Sequence, residues 1–269
     1  MTSRAALRTA YRRTLTPRRA LVAFGAALGM TGAALAANVT LSTTATAATW
    51  PSANGSQPVT ATISLSGTKD YAMKRLYGSG ALGTGDQAED QLPILKLAAG
   101  TVLKNVIIGP PGADGIHCEG SCTLQNVWWE DVGEDAATFR GPNGSTYNVT
   151  GGGARKASDK IFQHNGGGTL NISNFAAQDF KTLYRSCGDC STSYTRKVNL
   201  NTVEVTAPGS RIVGINVNRN DVATLRKITI IGDSSRKIIP CQKYNNNTAV
   251  GTGPDSTNCL YATSDVTYR

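Results

Sequence analysis

Short alternating apolar segments recur along the chain, separated by polar, glycine-rich turns. They are TVLKNVIIG from Thr101, CTLQNVWWE from Cys122, STYNVTGGG from Ser145, TLNISNFAA from Thr169, KVNLNTVEV from Lys197 and ATLRKITII from Ala223. Each has the period-two alternation of a strand with one buried face, and helical periodicity is nearly absent. With Asn105, Asn126, Asn148, Asn174, Thr202 and Lys227 taken as equivalent positions, the spacings are 21, 22, 26, 28 and 25 residues. An irregular repeat of this length, holding strands and turns but no helix, predicts an all-β fold, a parallel β-solenoid. Inward Leu, Val and Ile stack coil on coil, and side chains at matched turns form ladders. A β-sandwich also has many short strands, but its turn signals come every ~8–12 residues, without a Leu-x-Asn-Val element returning at coil length.

The first 48 residues break the pattern. They carry Arg4, Arg8, Arg12, Arg13, Arg18 and Arg19 with no acid, then an apolar run over residues 20–37, then a stretch of small residues before Trp50. That order marks a secretory signal over residues 1–48, with Arg18-Arg19 a candidate twin-arginine element. The run is Gly- and Ala-rich and barely long enough to span a membrane, so the mature protein is expected to be soluble, secreted and monomeric. Residues 49–269 suffice for one domain, its turn-rich tail from about residue 237 read as a disulfide-tied cap. Loss of the six leader arginines reduces the net charge from +9 to +3. Nucleic acid is therefore not implied as a partner, whereas an acidic ligand remains compatible. All six cysteines follow the leader, and export favours three disulfides over zinc at Cys118-x3-Cys122 and Cys187-x2-Cys190. Proximity pairs Cys118 with Cys122, Cys187 with Cys190 and Cys241 with Cys259, although other connectivities stay open.

The repeat also orders charge. Glu89, Asp114, Asp135 and Asp159 are separated by 25, 21 and 24 residues, about one coil each. Glu134 neighbours Asp135, Lys160 neighbours Asp159, and Lys181 and Arg185 come one coil later. In a solenoid these groups gather on one edge or face. Clustered carboxylates without sulfur or imidazole suit a hard cation, and calcium tolerates irregular oxygen shells better than magnesium. The alternative is solvated surface charge that falls at coil spacing by chance.

The segments GDQAED, DGIHC, GEDAATF, KASDKIFQHNG and LYRSCGDC resemble the family 3 pectate lyases, and the resemblance runs from about Trp50 to the C-terminus. It implies a secreted right-handed parallel β-helix that cleaves polygalacturonate by β-elimination with calcium. By motif it places Asp114, Glu134, Asp135 and Asp159 at the calcium, Glu89 at the acidic end of the site, Lys160 as the base and Arg185 as a catalytic or substrate-binding cation. One departure stands out. The family reads Gly-Lys-Leu-Tyr-Arg where this chain has Lys181-Thr182-Leu183-Tyr184-Arg185, so the lysine sits one place earlier and Thr182 takes its position. Because strand side chains alternate faces, the shift points Lys181 away from the cleft unless a turn or bulge absorbs it.

The chemistry explains the residue types. In pectate the leaving oxygen at C4 is β to an acidifiable C5 proton, so elimination needs charge stabilisation at the C6 carboxylate, a base at C5 and help for the departing oxygen. Lys160 is useless as a base while charged. Calcium, Lys181 and Arg185 would favour its neutral form, and Asp159 opposes this unless the metal takes up its charge. Arg185 is suited to clamp a substrate carboxylate with both arms, and Arg155 is a candidate subsite cation. His117 and His164 read as structural, and Trp128-Trp129 presents one indole to each face of its strand. Two rivals remain: a polygalacturonase-type hydrolase whose acids activate water, and a non-catalytic solenoid that binds acidic polysaccharide.

Overall fold

The computed structural model describes residues 48–269, so all but the last residue of the leader assigned above lies outside the described residues. These belong to one compact unit. Each coil contributes three short strands, and their stacks form the first, second and third sheets in chain order. Leu95–Leu97, residues 101–104 and residues 106–108 lie beneath Ile116–Cys118, residues 122–125 and residues 127–129 of the next coil, all in parallel register. The inward positions stack as the alternation predicts. Leu103, Leu124, Val149, Ile172, Leu200 and Leu225 form one continuous column, and none is more than 1% exposed. Each buried Leu, Ile or Val contributes roughly 1.5–3 kcal/mol relative to exposure, so such columns drive coil closure. Where the third sheet and the first enclose the middle coils, Trp129, Phe139, Tyr147, Phe162 and Phe175 pack with ring centroids 4.9–6.4 Å apart. Trp128 lies outside, edge-on to Trp50.

The chain bends between second and third strands at a left-handed corner residue in each coil. Asn105, Asn126, Gly151, Asn174, Thr202 and Lys227 occupy this corner, with φ between 51° and 68°. Asn and Gly tolerate that conformation at least cost, which is why Asn marks it in the sequence. One expected position is corrected: the register sets Gly151, not Asn148, between Asn126 and Asn174. Asn148 belongs instead to a second ladder, in which Asn199 donates to Asn171 at 2.9 Å and Asn171 to Asn148 at 3.1 Å.

Residues beyond 237 lay a last coil on the stack. Ile239–Asn245 pairs in parallel with the 211–216 stretch, and Cys259–Leu260 and Val266–Tyr268 pair with Val222–Ile231. A hairpin between residues 242 and 252 is the one antiparallel pairing among the described residues. Disulfides join Cys118 to Cys122, Cys187 to Cys190 and Cys241 to Cys259, the nearest-neighbour set. Among the described residues no helix is long and apolar enough to cross a membrane.

Candidate active site

The first sheet carries the charged residues. Asp135, Lys160, Thr182 and Arg211 are register partners on four successive coils, and Asp114 lies on the coil before Asp135. Close approach of the first two coils depends on Gly115 (φ 47°), where an added Cβ would run into the carbonyl oxygens of Asp135 and Ala136. Asp114, Glu134 and Asp135 are thereby brought together below the surface, each less than 8% exposed, with one oxygen apiece within 4.8 Å of the others.

These acids lack the partners that their burial demands. Asp114 Oδ1 and Asp135 Oδ1 are out of water and accept no hydrogen bond. Burial, opposed by Lys160 and reinforced by Asp114 and Glu89, pushes the Glu134 carboxyl up to about 7. Burial likewise holds Asp135 well above the usual carboxylate range. Three desolvated carboxylates, two of them with an orphaned oxygen, fit a hard divalent cation. Asp114 is steered from behind: His117 Nε2 lies 2.6 Å from Asp114 Oδ2, and Arg140 Nη1 lies 3.0 Å from His117 Nδ1. A guanidinium only donates, so Nδ1 accepts and Nε2–H points at the carboxylate. Sequence reasoning missed this role for His117, three residues after Asp114.

Lys160 is buried at the margin of the trio. Its Nζ lies 2.5 Å from Asp159 Oδ2, 3.2 Å from Glu134 Oε1 and 3.6 Å from Asp135 Oδ1. Burial alone would lower its pKa, but Asp135, Asp159 and Glu134 outweigh it and hold the ammonium firmly charged. Asp159 is a bridge between two lysines, its second oxygen 2.9 Å from Lys181 Nζ. Burial raises the Asp159 pKa, and the hydrogen bonds from Lys160 and Lys181 overcome it and hold the carboxyl below its ordinary value. The coil spacing is one residue longer than the sequence suggested, for Lys160 rather than Asp159 pairs with Asp135.

Beside the trio runs an open polar cleft lined by Lys160, Lys181, Thr182, Arg185 and Arg211, with Glu89 and Asp159 at its acidic end. Lys181 reaches it despite its displaced position, because Asp179 is left-handed (φ 52°) and the register shifts between Phe180 and Thr182. Glu89 comes from an exposed turn rather than from a strand of a coil. Arg155 is placed elsewhere: the chain turns at Lys156 (φ 60°), leaving Arg155 on the third sheet, 4.3 Å over the Trp50 ring and donating to the Glu130 carbonyl. His164 is fully buried, hydrogen-bonded to Tyr184, and burial drives its pKa down to about 3. Arg211 and Gln163 also line the cleft and were not singled out in the sequence, although Arg211 follows Arg185 by about one coil.

Residues 47–249 match the pectate lyase family. Pectate lyase H of Emericella nidulans is 42% identical over 217 residues, which cover 78% of this chain and 82% of that protein. Pectate lyase E of the same organism is 44% identical over 177 residues, covering 65% and 69%. Among solved structures, the catalytic domain of pectate lyase PelI from Erwinia chrysanthemi has a TM-score of 0.68 at 30% identity, covering 80% of this chain and 100% of that one. PelI in complex with tetragalacturonic acid has a TM-score of 0.65 at 31% identity, covering 79% and 70%. A match that spans most of the solenoid in both sequence and coil geometry leaves one assignment: this chain belongs to the pectate lyase family.

Proposed function

We propose that the protein is a secreted, calcium-dependent pectate lyase that cleaves (1→4)-α-D-galacturonan by β-elimination and leaves unsaturated oligogalacturonides. The observation that carries this reading is the position of Lys160, whose amine touches Glu134, Asp135 and Asp159 on one side and opens to a cation-lined cleft on the other. A hydrolase would have no evident use for the cations. The structure of PelI in complex with tetragalacturonic acid supports an oligogalacturonate as the ligand. Three disulfides support an oxidising, extracellular compartment.

Asp114, Glu134 and Asp135 would hold the calcium, with Asp159 and Glu89 at its margin. Bound there, calcium supplies positive charge for the C6 carboxylate, on which negative charge grows as the C5 proton leaves. Once the charge on the acids around Lys160 is compensated, the burial that disfavours its ammonium is no longer outweighed, and the neutral amine becomes accessible. Lys160 Nζ then takes the C5 proton, the electron pair left behind forms the C4=C5 double bond as the C4–oxygen bond breaks, and the departing oxygen takes a proton from water in the open cleft. Lys181 and Arg185 hold the cleft at positive potential for a polyanionic chain. The test is ultraviolet absorbance of unsaturated product from polygalacturonate, with and without a calcium chelator. Chain shortening without that absorbance would indicate hydrolysis, and binding without shortening a non-catalytic solenoid.

A further inference from the structure

Within the cleft the two arginines differ in how their donors are committed. Arg185 Nη1 donates to Ser186 O at 2.6 Å and Asn216 Oδ1 at 3.1 Å, and its Nη2 donates to Asn246 O at 2.7 Å and Asn247 Oδ1 at 3.3 Å. Its guanidinium also stacks on Tyr244 at 4.0 Å. Both arms of the fork are thus held by the protein, and the two-armed substrate clamp expected of Arg185 has no terminal donor to offer. Arg211 is the reverse. It has one long hydrogen bond, 3.4 Å to Thr182 Oγ1, its Nε is buried without an acceptor, and no acid pairs with it among the described residues. Gln163, on the coil of Lys160 and register partner of Arg185, lines the same cleft and buries its Oε1 without a donor.

We propose that Arg211 and Gln163 form a subsite for a galacturonate unit away from the scissile bond, Arg211 taking its carboxylate and Gln163 a ring hydroxyl. The proposal rests on the pectate reading above and extends it to where the chain is gripped. Arg211 lies two coils beyond Lys160 in the same register column, about 10 Å along the stack at ~4.8 Å per coil. Pectate carries one carboxylate on every sugar, so a chain laid along the column delivers successive carboxylates to successive coils. An unpartnered donor and an unpartnered acceptor in one cleft match a uronate, which brings both an anion and hydroxyl groups. A neutral sugar would satisfy Gln163 alone. Desolvated, unpaired polar groups cost stability, and a ligand that completes them binds more tightly for that reason.

Arg211→Gln and Arg211→Lys, assayed beside wild type at saturating calcium, test the subsite. On polygalacturonate the KM of Arg211→Gln rises about tenfold or more, the loss falling chiefly on KM, and Arg211→Lys lies between because it keeps the charge without the fork. On highly methyl-esterified galacturonan the gap between wild type and Arg211→Gln narrows, since the anion is masked. Equal KM for wild type and Arg211→Gln on polygalacturonate overturns the subsite. Absence of unsaturated product from wild type overturns the pectate lyase reading instead, and calorimetric binding of hexagalacturonate to wild type and Arg211→Gln still decides the subsite. Should Arg211→Gln show an altered melt, Arg211→Lys carries the same comparison.

Discussion

Lys160 and Asp135 stand opposite each other on neighbouring coils, with Nζ and Oδ1 3.6 Å apart in a site nearly closed to water. The amine is therefore placed by the sheet register itself, and its protonation is governed by acids that the same register supplies. Lys160→Arg keeps the charge but resists deprotonation, so turnover falls by about 10²–10⁴ while affinity for polygalacturonate is largely kept. Wild-type turnover rises with pH into the alkaline range, because the working amine starts from a reference value of about 10.4. Initial rates of unsaturated product across pH, with circular dichroism as the folding check, decide this. Substantial turnover by Lys160→Arg would assign the base elsewhere.

With Glu134 among the proposed calcium ligands, its raised carboxyl predicts a pH dependence of calcium binding. In the metal-free protein it titrates near 7 instead of 4.5, so its contribution to stability is present below pH 4.5 and lost as pH rises through about 7. Calcium must displace that proton, and its stabilising effect grows over the same window. His164 acts in the opposite sense, since its depressed pKa contributes stability above 6.5 that is lost as pH falls towards 3. It lies outside the acid trio and cancels in a difference. The gap in melting temperature between calcium-loaded and chelated protein should widen from about pH 5 to about pH 8. A gap independent of pH would remove the trio as the calcium ligands.

His117→Ala leaves Asp114 without the donor at its Oδ2. Partners of this kind orient metal ligands, and their loss costs about 10–100-fold in metal affinity. Calcium titration by calorimetry should show that weakening without a matching change in thermal stability of the chelated protein. An unchanged dissociation constant rejects the steering role.

Thr202 holds the corner conformation, φ 59°, with a β-branched side chain that resists it. Thr202→Asn restores the residue type used at Asn105, Asn126 and Asn174, and should stabilise by about 1 kcal/mol. In a domain of this size that is roughly 2–4 °C in melting temperature. A lower melting temperature would mean that the Thr hydroxyl or methyl contributes more than the corner costs.

The solenoid was legible because burial imposes period two within strands and the left-handed corner, once per coil, is Asn in three of the six coils compared. The register slipped at Asn148 because Asn was followed by type, whereas the corner selects φ, and Gly151 meets that need equally well. Arg155 looked like a cleft residue from its neighbours in sequence, and the bend at Lys156 sends it to another sheet. Lys181 looked misdirected under strict alternation, and the bend at Asp179 restores it. Spacing near one coil grouped Glu89 with the other acids, and it joins them at the cleft from a turn rather than from a strand. Roles that depend on who donates to whom, such as His117 behind Asp114 or the occupied fork of Arg185, leave no mark in spacing.

The grip of Asn246 and Asn247 on Arg185 ties the middle of the chain to its last hairpin. Tyr244, from the same hairpin, supplies the ring beneath that arginine. The acid trio is complete after residue 135, early in synthesis, whereas the wall that faces the polymer is finished only when segments more than a hundred residues later dock. In order of synthesis, the residues of the acid trio therefore precede those that complete the cleft wall. A chain shortened before residue 244 would lack Tyr244, Asn246 and Asn247, and with them these partners of Arg185.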